Sequence, residues 1–264
     1  NQSNSTSVDT STEDLFGLIW ELKPLPMVTL PQKETTEIDF RTPFFAYLRD
    51  EFGENPNTYL EEIANLSRVR EAARMSSRDQ QGRDALYKYF GQLELLDIRF
   101  QGKGSLKVQF PWVDSLNDTV TKQQSLAFEK ACILYNVAAT CSAIAARSSL
   151  MIKHGHSDFD DTVKLAYNHF QCAAWICKYI NTNFLHAPSK DLSRYFMETM
   201  CNLMLAQAQE CFLEKVIENK KSGTFISKIC FYIVSMMAKV YLAIHPNEYS
   251  NEINGTFKDG INTG

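Results

Sequence analysis

The chain has 264 residues, 44% hydrophobic and 22% charged, with a formal charge of −4 at pH 7. That length and composition describe one globular domain, two at most, large enough to bury a sizeable core. The acidic balance lacks the basic excess by which general nucleic-acid binders hold phosphate, so no nucleic acid is expected as a partner. 

Residues 1–14, NQSNSTSVDTSTED, are polar and low in complexity, and 1–24 is expected to be a disordered arm. Asn1 in place of Met predicts a fragment or a processed form. PMVTLPQKETTEIDF (26–40) is extended in character, with Pro26 and Pro31 limiting it to an edge strand or a leading arm. Thr42 before Pro43 predicts an N-cap opening the helix FFAYLRDEF. Asn55-Pro56 repeats the device and predicts a helix to about Met75, with Tyr59, Ile63, Leu66 and Val69 at helical spacing. A third helix is expected from about Asp79 to Ile98. SLKVQFPWVD (105–114) alternates apolar and polar and reads as a strand, expected to pair with 27–34 in a small sheet.

Four long helices follow, at roughly 122–148, 158–184, 190–220 and 223–244, joined by the short polar turns KHGHSD, HAPSKD and NKKSG. Turns that short imply antiparallel neighbours. The expected fold is therefore mainly α, a solenoid-like stack of antiparallel helical hairpins with a small N-terminal β-sheet. The most apolar stretch, ICFYIVSMMAKVYLAI (229–244), is broken by Ser235 and Lys239 before the ~18 residues a membrane span needs, so it is expected as a buried helix. Residues 246–264 are polar and rich in Gly and Asn, and are expected to be a disordered tail.

Chemistry-bearing residues are few. The seven cysteines (132, 141, 172, 177, 201, 211 and 230) are an odd number in apolar helical contexts, as reduced, buried thiols of a cytoplasmic protein would be. CSAIAARS (141–148) has the Cys-x5-Arg-Ser spacing of tyrosine phosphatases. Their phosphate loop works by backbone N–H groups freed by glycines, and here Ser, Ala, Ile, Ala and Ala intervene within a helix. Catalysis by Cys141 is accordingly not expected. His154 and His156 lie in a turn, and His169, Cys172 and Cys177 lie along one helix without a second pair to complete a zinc tetrahedron. No metal or cofactor is expected. EKVIENKKSGTFISK (214–228) sets Lys215, Lys220, Lys221 and Lys228 around a turn, a basic rim for an acidic peptide or an anionic membrane surface.

SLAFEKACILYNVAAT (125–140), FPWVD (110–114), NFLHAPSKDLSR (183–194) and LMLAQAQECFLEK (203–215), with the 26–40 and 82–100 runs, resemble the Bro domain. This is the boomerang-shaped helical scaffold of the ALIX, HD-PTP and fungal vacuolar-sorting type. The resemblance covers roughly residues 25–240, within a Bro domain assigned to 25–245. It implies a non-enzymatic adaptor in ESCRT-dependent endosomal sorting, cytoplasmic and recruited to endosomes, with possible peripheral contact with the endosomal membrane. Its implied partner is the C-terminal amphipathic helix of a Snf7-like ESCRT-III subunit, a charged multivesicular body protein. The alternative is a signalling scaffold of the rhophilin or fungal pH-response type.

The resemblance places Phe212, Phe225 and Ile229 at partner-binding positions, and Asp160 and Lys164 at the groove that receives the helix. Leu205 joins them as the start of a stripe with Ala208 and Phe212. Asp160 and Lys164 are also spaced to pair along one helix face. The resemblance further implies later helices beyond this chain. Ile229, Ile233, Met236 and Val240 are then expected to form an exposed stripe.

Overall fold

The computed structural model describes residues 26–100, 106–153, 158–186 and 188–245. The expectations for 1–24, for 246–264 and for His154 and His156 fall outside them. Among the described residues run seven α-helices and one two-stranded sheet.

Helix α1 (Arg41–Phe52) starts earlier than Thr42 predicts. Asp39 supplies the cap: its Oδ1 accepts from the backbone N–H of Arg41 at 2.8 Å and of Thr42 at 3.3 Å. Pro43 needs no such partner, so it fits the first turn, and Thr42 lies inside the helix rather than ahead of it. Gly53 closes α1 in the left-handed region at φ 65°. A 3-10 turn, Pro56–Tyr59, leads into α2 (Leu60–Arg74), with the Asn55 side chain accepting from the Asn57 N–H. Ile63, Leu66 and Val69 are buried at the predicted spacing. Helix α3 (Gln80–Arg99) is capped by Asp79, which accepts from Gly82 N–H at 2.9 Å. A Cβ on Gly82 would lie 1.8 Å from the Ser77 carbonyl oxygen, so only glycine lets the chain turn there.

Strand β1 (Phe110–Val113) pairs antiparallel with β2 (Val120–Gln123), not with 27–34. Residues 26–40 instead form an extended strap, touching the sheet through a single bridge between Thr35 and Trp112. Pro26 and Pro31 lack N–H donors and break any ladder there. Side chains satisfy the strap's backbone in its place. Gln207 accepts from the N–H of Val28 and donates to its carbonyl, and Ser142 accepts from Leu30 N–H at 3.0 Å. Asn136 accepts from Lys33 N–H at 2.7 Å and donates to its carbonyl at 2.9 Å.

The second half is the expected stack: α4 (Leu126–Lys153), α5 (Phe159–Asn183), α6 (Arg194–Glu218) and α7 (Gly223–Ile244), each packed on the next. The stretch before α4 is β2, and 190–192 is a 3-10 turn, so α4 and α6 start later than predicted. Buried Ala138, Ala139, Ala145, Ala166, Ala173 and Ala174 let α4 and α5 approach closely.

Two buried ionic hubs tie the strap and sheet to this stack. Glu129 on α4 accepts from Trp112 Nε1, Arg70 Nε and the Tyr89 hydroxyl. Asp191 accepts from Lys33 Nζ, the Ser115 N–H and the Ser189 hydroxyl. Each carboxylate is enclosed but fully hydrogen-bonded, the condition under which a buried charge is tolerated.

Helix α7 corrects three expectations: the membrane-span length, the buried helix and the exposed stripe of Ile229, Ile233, Met236 and Val240. It is long and apolar enough to cross a membrane by length and composition. It is also not a buried helix: only Ile229, Ile233, Met236 and Val240 are enclosed, because their 3.6-residue spacing sets them on the side facing α6. The exposed residues are instead Phe225, Phe231, Tyr232, Val234, Met237, Tyr241 and Leu242.

Candidate functional site

The α5–α6–α7 end of the stack gathers most of the candidate residues. Phe212, near the end of α6, is half-buried. Its ring centroid lies 6.1 Å from that of Tyr167 on α5 and 6.5 Å from that of Phe225 on α7. The Phe212–Phe225 pair is edge-to-face at 84°, the arrangement that sets a positive ring edge against a negative face. Three helices thus present one continuous aromatic row.

Beneath that row is a small apolar cluster of Val216, Ile229 and Ile233, with Phe212, Leu213 and Ile226 packed on it. Ile229 is therefore floor rather than surface, 7% exposed against 42% for Phe225. The turn between α6 and α7 explains the difference. Phe225 stands in the first turn of α7, and Ile229, one turn further, is already covered by α6. Leu205 is two turns before Phe212, half-buried against the main core. The structure brings Phe212, Phe225 and Ile229 together and leaves Leu205 with the core.

Charge borders the row on the α5 side. Asp160, in the first turn of α5, meets Lys215 Nζ of α6 at 3.2 Å. The expected Asp160–Lys164 pair along one helix is replaced by this interhelical one, because the α6 ammonium reaches the carboxylate across the packed faces. Lys164 stands exposed one turn away. Lys220, Lys221 and Lys228 are exposed around the α6–α7 turn. Tyr167 joins the candidate residues in the structure; its spacing of seven from Asp160 puts both on one side of α5. What the arrangement can do is bind: an aromatic row over an apolar floor suits the apolar face of a helix, and the flanking charges fix register.

The Cys141 motif has the opposite character. Cys141 is buried within α4, where the backbone N–H groups are committed to helical bonds. Its thiol donates to Cys172 Sγ and is enclosed, and both effects push its pKa up, away from a nucleophilic thiolate. His169 has both ring nitrogens engaged, Nδ1 with the Leu165 carbonyl at 2.9 Å and Nε2 with Arg83 at 3.3 Å.

Comparison with known proteins agrees with this architecture. The family model of the BRO1-like domain matches residues 27–261. The vacuolar protein-sorting protein bro-1 of Neurospora crassa is 42% identical over 224 residues, 84% of this chain and 21% of that protein. Rhophilin-1 of Mus musculus is 36% identical over 81% of this chain and 31% of that protein. The chain thus spans about a fifth of the length of its fungal relatives. Among solved structures, an ALIX BRO1 CHMP4C complex matches with a TM-score of 0.73 and 23% identity, covering 85% of this chain and 66% of that one. At that identity the likeness shows the fold: a stack of antiparallel helical hairpins carrying a small two-stranded sheet. This chain belongs to the BRO1-like domain family.

Proposed function

We propose that this chain is a non-enzymatic adaptor domain of ESCRT-dependent endosomal sorting. It docks the C-terminal amphipathic helix of a Snf7-like ESCRT-III subunit across the α5–α6–α7 end. The observation that carries this reading is the aromatic row of Tyr167, Phe212 and Phe225 over the floor of Ile229, Ile233 and Val216. The apolar face of the incoming helix covers the row, and Lys164, Lys215 and Asp160 meet its charged edge. Support comes from relatives described as vacuolar protein-sorting proteins and from the similar structure described as an ALIX BRO1 CHMP4C complex. In this reading the Bro domain occupies 25–245, flanked by the 1–24 arm and the 246–264 tail. The protein works in the cytoplasm and is recruited to endosomes, with Lys220, Lys221 and Lys228 available for peripheral contact with the membrane.

A second reading, a signalling scaffold, is supported by the 36% identity to Rhophilin-1. Titrating fluorescently labelled C-terminal helices from several ESCRT-III subunits separates the two. Saturable binding by a Snf7-like helix supports the adaptor, and failure of every ESCRT-III helix to bind the folded chain removes it.

A further inference from the structure

Away from the aromatic row, helices α3, α4 and α5 bring two sulfur atoms together. Cys141 Sγ of α4 and Cys172 Sγ of α5 are 3.8 Å apart. Cys141 is buried and Cys172 half-buried. The Tyr87 hydroxyl of α3 lies 3.8 Å from Cys172 Sγ, and Tyr87 itself is exposed, so this ring marks the way in from solvent. Arg83, one turn before Tyr87, places its guanidinium 3.3 Å from His169 Nε2, and His169 is one turn before Cys172. Two thiols, a phenol, an imidazole and a guanidinium thus meet where the helices approach closely. None of them belongs to the docking surface.

We infer that Cys141 and Cys172 form a reversible disulfide when the protein meets a peroxide, tying α4 to α5. A sulfur–sulfur bond is about 2.0 Å long, so the two atoms need to close by roughly 1.8 Å. Cys172 reacts first. It accepts a hydrogen bond from the Cys141 thiol, as a thiolate it accepts another from the Tyr87 hydroxyl 3.8 Å away, and it faces the Arg83 charge; together these favour its thiolate over the neutral thiol. The Cys172 sulfur attacks one peroxide oxygen, the O–O bond breaks, and the departing hydroxide takes up the thiol proton as water. Cys172 is now a sulfenic acid. Oxidation of Cys172 removes the sulfur acceptor that held the Cys141 proton; the Cys141 sulfur attacks the Cys172 sulfur as its proton passes to the departing oxygen, the S–O bond breaks, and a second water leaves. Each cysteine sulfur loses one electron, and both peroxide oxygens end as water. A small thiol reverses the step by exchange.

The experiment treats the reduced full chain with stoichiometric hydrogen peroxide, alkylates it in denaturant and maps the peptides without reduction. The expected product is one cross-linked peptide pair joining Cys141 to Cys172, lighter by two hydrogens and abolished by dithiothreitol. In Cys141→Ala, Cys172 should accumulate as a sulfenic acid trapped by dimedone. In Cys172→Ala, Cys141 should stay fully alkylatable. Melting curves of both variants establish that they remain folded, and the wild-type map needs neither. Three results would overturn the inference: a dominant Cys177–Cys201 cross-link, Cys172 oxidised to sulfinic acid with Cys141 still free, or the same cross-link yield from chain unfolded before treatment.

Discussion

At Trp112 the indole is 1% exposed and its Nε1 donates to Glu129, which also holds Arg70 and Tyr89. One side chain thus joins the sheet, the strap and the stack. Trp112→Ala should cost about 3–5 kcal/mol, through the cavity and through the acceptor left short of a donor. Chemical denaturation would show this, and a variant as stable as wild type would refute it. Glu129 was not legible in the sequence, because a lone Glu in an apolar run does not announce three distant donors. Gln207 was illegible for the same reason: its partner, Val28, is 179 residues away. His169 adds a pH effect. Burial, helped by Arg83, lowers its pKa below the ordinary 6.5. The unfolded chain therefore takes up the proton first, so the stability His169 contributes is full above 6.5 and is lost as pH falls through the lowered folded value. His169→Gln should flatten the acid side of a melting temperature versus pH curve, and an unchanged slope would contradict this.

Helix spacing and caps made the elements readable. Asp79, Asn55 and the short turns set the boundaries of α2, α3 and the four long helices almost as the residues suggest. The strap is the leading arm rather than the edge strand, and the expected pairing with 105–114 fails because the side chains that satisfy its backbone come from α4 and α6. Pairing of Asp160 was similarly hidden: spacing along α5 pointed to Lys164, and only packing shows Lys215. That ion pair is partly open to solvent, with Asp160 65% exposed, so Lys215→Ala should shift stability by no more than ~1 kcal/mol. Lys164 is exposed and free to meet a partner's acidic edge. Lys164→Asp should weaken helix binding most at low salt and leave the melting temperature in place. Equal affinity of wild type and variant at low salt would remove Lys164 from the site.

At the scale of the whole stack, the described residues leave one long apolar face of α7 uncovered. Phe231, Val234, Tyr241 and Leu242 are each at least 65% exposed. An apolar face of that kind drives association in water. The chain should show concentration-dependent sedimentation, relieved by Phe231→Lys with Leu242→Lys; a monomer at all concentrations would contradict this. The sequence made the amphipathic period of α7 plain but not its direction, since either side of a helix apolar nearly all round can face the neighbour. That ambiguity also blurred the candidate site, where Ile229 proved to be floor and Phe225 surface.

The same distinction selects the variant for the docking account. Phe212→Asp would disturb the Val216–Ile229–Ile233 cluster as well as the surface, mixing fold with binding. Phe225 is exposed and stands at the start of α7, so a charge there stays hydrated. The decisive measurement is a titration of Phe225→Asp and wild type with a Snf7-like ESCRT-III C-terminal helix, beside circular dichroism melts of both proteins. The account predicts an affinity loss of at least ~2 kcal/mol with helical signal and melting temperature nearly unchanged. Undiminished binding by a folded Phe225→Asp protein would contradict it.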